Sequence, residues 1–148
     1  MPGYGIVPAD QGELLPWSWA EERLAGSHNY WISTTRADGR PHCVGVWGVW
    51  VAGTFYFSSG AESLKTRNLR KQSYCVITTE NASQPVILEG TASQISDAPP
   101  EAAAAYKTKY GYDLDPAMGP IFLLTPQVAF GLIEYQMVKT ATRWKFEA

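Results

Sequence analysis

Four basic residues, Lys65, Arg67, Arg70 and Lys71, fall within seven positions. They follow a run from Pro41 to Ala61 that holds no Asp, Glu, Lys or Arg. The hydroxyls of Ser58, Ser59 and Ser63 stand at the junction. Apolar backbone followed abruptly by hydroxyls and cations suits a ligand with a flat ring at one end and a phosphate at the other. Ser63 lies at a predicted helix start, whose unpaired N–H groups either hold an anion or are capped by a side chain. A solvated helix face accounts for the same cations.

A catalytic apparatus made of side chains is hard to assemble from this sequence. No serine stands in a GxSxG elbow. Asp113 and Asp115 are spaced DxD, but in a loop without the acidic run of a calcium site. Glu89 and Glu134 read as strand carboxylates that could donate a proton. Cys43 and Cys75 are 32 positions apart and form no CxxC, and His28 and His42 are as scattered, so no zinc spacing exists. Two free thiols fit a reducing cytoplasm. The chemistry is therefore assigned to a bound cofactor, which the protein orients.

The elements that must position these residues follow from pattern. A chain of 148 residues reads as one domain, with residues 1–12 as a flexible arm rich in Gly and Pro. Such a domain buries roughly 70% of its unfolded surface. A formal net charge of −2 argues against an extended nucleic-acid footprint. Met1 to Glu13 lacks the basic start and apolar block of a signal peptide. Pro41–Ala61 is long enough for a membrane span, but its glycines, serines and Ala52-Gly53 turn signal read as strands. Helices are predicted over Pro16–Ala25, Ser63–Gln72 and Pro99–Tyr110. Strands are predicted over Tyr30–Arg36, Pro41–Val51, Thr54–Ser58, Tyr74–Thr79, Val86–Ile95, Ile121–Thr125, Val128–Tyr135 and Thr140–Phe146, with Gly90 at a bulge or bend. Many short strands and few helices predict a mainly β protein closed into a barrel.

The segments Asp38-Gly39-Arg40-Pro41-His42, Val46-Trp47, Phe55-Tyr56-Phe57-Ser58 and Lys65-Thr66-Arg67-Asn68-Leu69 resemble the FMN- and deazaflavin-binding split β-barrel family that includes pyridoxamine 5′-phosphate oxidase. Val128-Ala129-Phe130-Gly131 and Thr142-Arg143-Trp144-Lys145-Phe146 are similar to its short deazaflavin-dependent reductases. The resemblance runs from Trp17 to Phe146. It implies FMN or coenzyme F-420 as cofactor, hydride transfer to a small unsaturated acceptor, and a homodimer with the cofactor at the subunit boundary. It implies that the main chain of Val44, Gly45, Val46 and Trp47 runs along the ring edge. It assigns the phosphate to Ser58, Ser59, Ser63 and Lys65, with Arg67 as a second cation, and lets Trp144 wall the ring or substrate. Two departures stand out. Ala61, Glu62 and Leu64 replace arginines frequent in relatives, and Gly45 replaces a proline. A carrier that binds a flavin or tetrapyrrole without turnover is the alternative.

Overall fold

Pro16 stands just before the first helix as its N-cap, in an extended conformation where its missing N–H is no loss. The structure, a computed structural model, describes residues 3–6 and 12–146. Residues 1–2 and 7–11 of the expected arm lie outside the described residues. Helix α1 (Trp17–Gly26) buries Ala20 and Leu24. Strands β1 (Tyr30–Thr35), β2 (Pro41–Val46), β3 (Gly48–Val51) and β4 (Thr54–Ser58) follow. Helix α2 (Leu64–Lys71) leads to β5 (Tyr74–Thr79) and β6 (Val86–Ile95). Helix α3 (Pro100–Tyr110), a 3-10 turn at Pro116–Met118 and β7 (Ile121–Gly131) come next. A 3-10 turn at Glu134–Gln136, the short α4 (Met137–Thr140) and β8 (Thr142–Lys145) end the fold.

The strands form one antiparallel sheet in the order β2-β1-β5-β6-β7-β4-β3, with β8 also on β7. The two ends of that path, β2 and β3, are consecutive in the chain and separated only by Trp47. The sheet therefore curls back on itself, as a split β-barrel does. Its interior is filled by Tyr30, Ile32, Phe55, Phe57, Ile77, Leu88, Phe122 and Leu124. A second cluster seals α3 onto the wall through Ala102, Tyr106 and Tyr110 against Val49 and Ile121.

Three elements differ from expectation. The single strand expected over Pro41–Val51 is broken at Trp47, because β2 pairs with β1 whereas β3 pairs with β4. The strands expected over Ile121–Thr125 and Val128–Tyr135 are one strand ending at Gly131. Glu89 pairs with Val128 and Gly90 with Pro126, so Gln127 bulges out. A proline that cannot donate to the ladder fits at such a bulge. The bulge position expected at Gly90 is thus observed, and a Cβ there would lie 2.1 Å from the Thr125 carbonyl oxygen. Glu134 is not a strand carboxylate but opens a 3-10 turn.

Candidate functional site

Among the described residues strand β2 has a strand partner on one side only. The N–H and C=O groups along its other edge are thus left for a ligand. Alternation sets the side chains: Val46 joins the core and Val44 packs against it, while Gly45 faces outward opposite the exposed Trp31. A Cβ at Gly45 would meet only the Tyr30 carbonyl oxygen, at 3.9 Å. The wall is therefore open at Gly45, and a flat ring can approach its backbone.

Trp47 closes this stretch. Its ring stacks on Tyr110 with centroids 4.4 Å apart and planes within 6°. Its Nε1 donates to Asn29 Oδ1 at 3.2 Å, and part of the ring stays exposed. The bend beyond it is fixed at Gly48. The Gly48 N–H donates to the Tyr110 hydroxyl at 3.0 Å, and its carbonyl accepts from Lys109 Nζ at 3.0 Å. A Cβ at Gly48 would fall 2.2 Å from the Phe55 ring.

Two of the hydroxyls assigned to phosphate, those of Ser59 and Ser63, are brought together, but with Thr66 they satisfy one another. Ser59 Oγ lies 2.6 Å from Thr66 Oγ1 and 3.0 Å from Ser63 Oγ. Ser63 Oγ accepts from the Thr66 N–H at 3.3 Å and caps α2. Thr66 Oγ1 donates to the Gly60 carbonyl at 2.6 Å. Ser59 is buried and Ser58 half-buried against the Gly119 loop. Of the two uses open to Ser63, anion or cap, the structure uses the cap.

Lys65 stands beside this cluster in a different condition. It is half-buried, and among the described residues it makes neither an ion pair nor a side-chain hydrogen bond. Burial holds its amine below the ordinary lysine value. A desolvated, unpaired cation gains from an anion more than an exposed one does. A residue without an assigned role also carries an unpaired polar atom. His42 projects to the inner side of β2, like Val44 and Val46, and its Nδ1 is buried with no hydrogen-bond partner. His42 pairs across β1 with Thr34, whose hydroxyl accepts from Asn68 Nδ2 at 3.0 Å, and Lys65 is one helical turn before Asn68. The period-two alternation of β2 was the one sequence signal that placed His42 on that side.

Arg67 and Trp144 lie apart from the hydroxyl cluster. Arg67 lines an open cavity of about 480 Å³ between the β1–β2 turn and α2, with Arg36, Arg40, Arg70 and Lys71. Trp144 sits in an aromatic cluster of this same chain, edge-on to Trp17 at 5.2 Å and over Gly131. Among the described residues no group of three or more His, Cys, Asp or Glu side chains is placed to hold a metal. None of the described helices is long and apolar enough to cross a membrane.

The open edge at Gly45 and the unpaired Lys65 and His42 fit a ring-and-phosphate cofactor, and comparisons with known proteins bear on it. The family model described as pyridoxamine 5′-phosphate oxidase matches residues 19–130. No curated protein matches the chain in sequence. Solved structures share its fold. An F420 reductase is 19% identical at a TM-score of 0.61, with 74% of this chain and 94% of that one covered. HutZ, the heme storage protein from Vibrio cholerae, is 16% identical at a TM-score of 0.65, with 84% and 99% covered. A heme binding protein from Mycobacterium smegmatis is 18% identical at a TM-score of 0.70; 88% of this chain matches 59% of that one.

Proposed function

Because the chain belongs to the pyridoxamine 5′-phosphate oxidase family, we propose that it is an oxidoreductase that binds FMN or the deazaflavin coenzyme F-420. The observation that carries the reading is the free edge of β2, open at Gly45, together with an unpaired, half-buried Lys65. When bound, the cofactor supplies hydride transfer to or from a small unsaturated acceptor. The chain's own residues bind and orient. Backbone groups of Val44, Gly45, Val46 and Trp47 meet the ring edge, where aligned dipoles stabilise developing charge. Lys65 neutralises the phosphate, with His42 Nδ1 as a further partner. The exposed part of Trp47 borders the ring and sheds water from it.

The reading includes a homodimer. Gly45, Trp31, Thr78, Ile87 and Phe130 lie side by side across five strands on the outer wall. Trp31 is 52% exposed. A partner covering that row would remove apolar surface from water and close the site over Gly45. The free thiols of Cys43 and Cys75 suit a cytoplasmic location. The reading includes no nucleic-acid or membrane partner.

The alternative is a carrier that binds a flavin or tetrapyrrole without turnover. The structural relatives described as heme storage and heme binding proteins favour it. The test is mass spectrometry of the small molecule released from protein purified from its native host, followed by single-turnover oxidation of the reduced cofactor by enones and quinones. FMN or the deazaflavin, oxidised faster on the protein than free, supports the enzyme. A bound tetrapyrrole, or no acceleration with any acceptor, leaves the carrier.

A further inference from the structure

We propose that the basic cavity between the β1–β2 turn and α2 is a second anion site, separate from Lys65, that takes a small ligand carrying an oligophosphate group. Five of the chain's twelve basic residues, Arg36, Arg40, Arg67, Arg70 and Lys71, line it. The one carboxylate in its wall, Asp38, is already bound to Arg40, Oδ2 to Nε, at 2.8 Å. Among the described residues Arg36, Arg67, Arg70 and Lys71 form no ion pair. Gathering these cations costs free energy through mutual repulsion, and the chain as a whole carries a net charge of −2. A bound polyanion would relieve that repulsion.

Both walls are held by hydrogen bonds of their own. The turn is held by the Arg36 N–H on the Arg40 carbonyl at 2.8 Å and the Gly39 N–H on the Arg36 carbonyl at 2.9 Å. The Arg40 N–H on Asp38 Oδ1 at 3.1 Å adds a third bond. Helix α2 is tied to β1 by the Asn68–Thr34 bond. Cations on fixed backbone lose less freedom on binding than cations on mobile segments. Four of the five are arginines, whose planar forks match phosphate oxygens two at a time. Leu64 and the arginine stems add apolar surface to its lining. A volume of about 480 Å³ is of the size that holds a small molecule. Lys65 does not line this cavity.

The test is calorimetric titration of the full chain with sodium tripolyphosphate, with ATP and with orthophosphate, at low and at physiological salt. Arg36→Gln/Lys71→Gln changes one cation on each wall, and Lys65→Ala serves as the control. Tripolyphosphate is expected to bind one per chain, at least tenfold more tightly than orthophosphate and more weakly as salt rises. The double variant should lose at least tenfold, and Lys65→Ala less than threefold. ATP binding more tightly than tripolyphosphate would identify a nucleotide as the source; equal binding would identify free oligophosphate. An equal loss in Lys65→Ala would merge the cavity with the cofactor site and overturn the proposal. So would unchanged affinity in the double variant, or orthophosphate binding as well as tripolyphosphate. Circular dichroism of each variant excludes loss of fold as the cause.

Discussion

Lys109 on α3 donates to the hydroxyl of Tyr30 on β1 at 2.7 Å, tying a surface helix to a residue fully buried in the barrel. The same ammonium reaches the Gly48 carbonyl and lies over the Tyr30 and Tyr110 rings. Tyr110 stacks on Trp47, so this contact holds the back of the candidate ring site.

Burial lowers Lys109 to about 8 from 10.5, against the opposing pull of Glu80. Between those values the unfolded chain binds a proton that the folded chain lacks, so stability gains as pH rises through 8. Burial raises Cys75 to about 12 from 9.0, and it also raises Tyr30 and Tyr110. Their stabilising contributions fade above pH 9–10, which confines the gain to the window between 8 and about 9. Urea midpoints of the wild type and Lys109→Met should converge or cross in the wild type's favour over that window. A difference independent of pH would mean that the lysine titrates normally.

Gly45 and Gly48 are three positions apart and should behave oppositely. Gly48→Ala drives a Cβ into the Phe55 ring and should destabilise by about 1–3 kcal/mol. Gly45→Val enters open space, so its stability should stay within roughly 0.5 kcal/mol of the wild type, while FMN or F-420 binding falls. Thermal melts and cofactor titration separate the two. Normal binding by folded Gly45→Val would move the ring elsewhere.

Lys65→Ala should fold normally and bind the phosphate-bearing cofactor more weakly. A charge-assisted hydrogen bond is worth roughly 1.5–3 kcal/mol, or about ten- to a hundredfold in affinity. Fluorescence titration with FMN and with the deazaflavin reads the loss directly. Equal affinity in wild type and variant would remove the lysine from the phosphate site.

Sedimentation at micromolar concentration should give twice the chain mass. Trp31→Glu places a charge at the exposed tryptophan of the outer-wall row and should yield monomers that retain the wild-type circular dichroism. A monomeric wild type would leave each site without its second wall.

Hydride transfer on a bound ring needs alignment rather than a protein nucleophile. Cys43→Ser and His28→Asn, both at exposed positions, should keep most single-turnover rate. Abolished transfer in either variant with intact cofactor binding would make side-chain chemistry essential.

The sequence by itself determined the barrel, because alternation, turn chemistry and the Gly90 bulge are local or nearly local signals. Its element boundaries agree with the structure for α1, α2, α3 and β4–β6 within a residue or two. It also placed the hydroxyls of Ser59 and Ser63 beside a helix start. Only the tertiary structure decided what those groups do. Ser63 caps α2 because Thr66 and Gly60 fold back onto it. Arg67 faces a cavity shared with the distant Arg36–Arg40 turn. The break at Trp47 depends on Lys109 and Tyr110, some sixty residues away in the chain. His42 acquires an unpaired ring nitrogen only when β2 lies on β1. Pattern reads what each residue offers to its chain neighbours; which offers are taken up depends on contacts between segments remote in sequence, and these exist only once the barrel has closed.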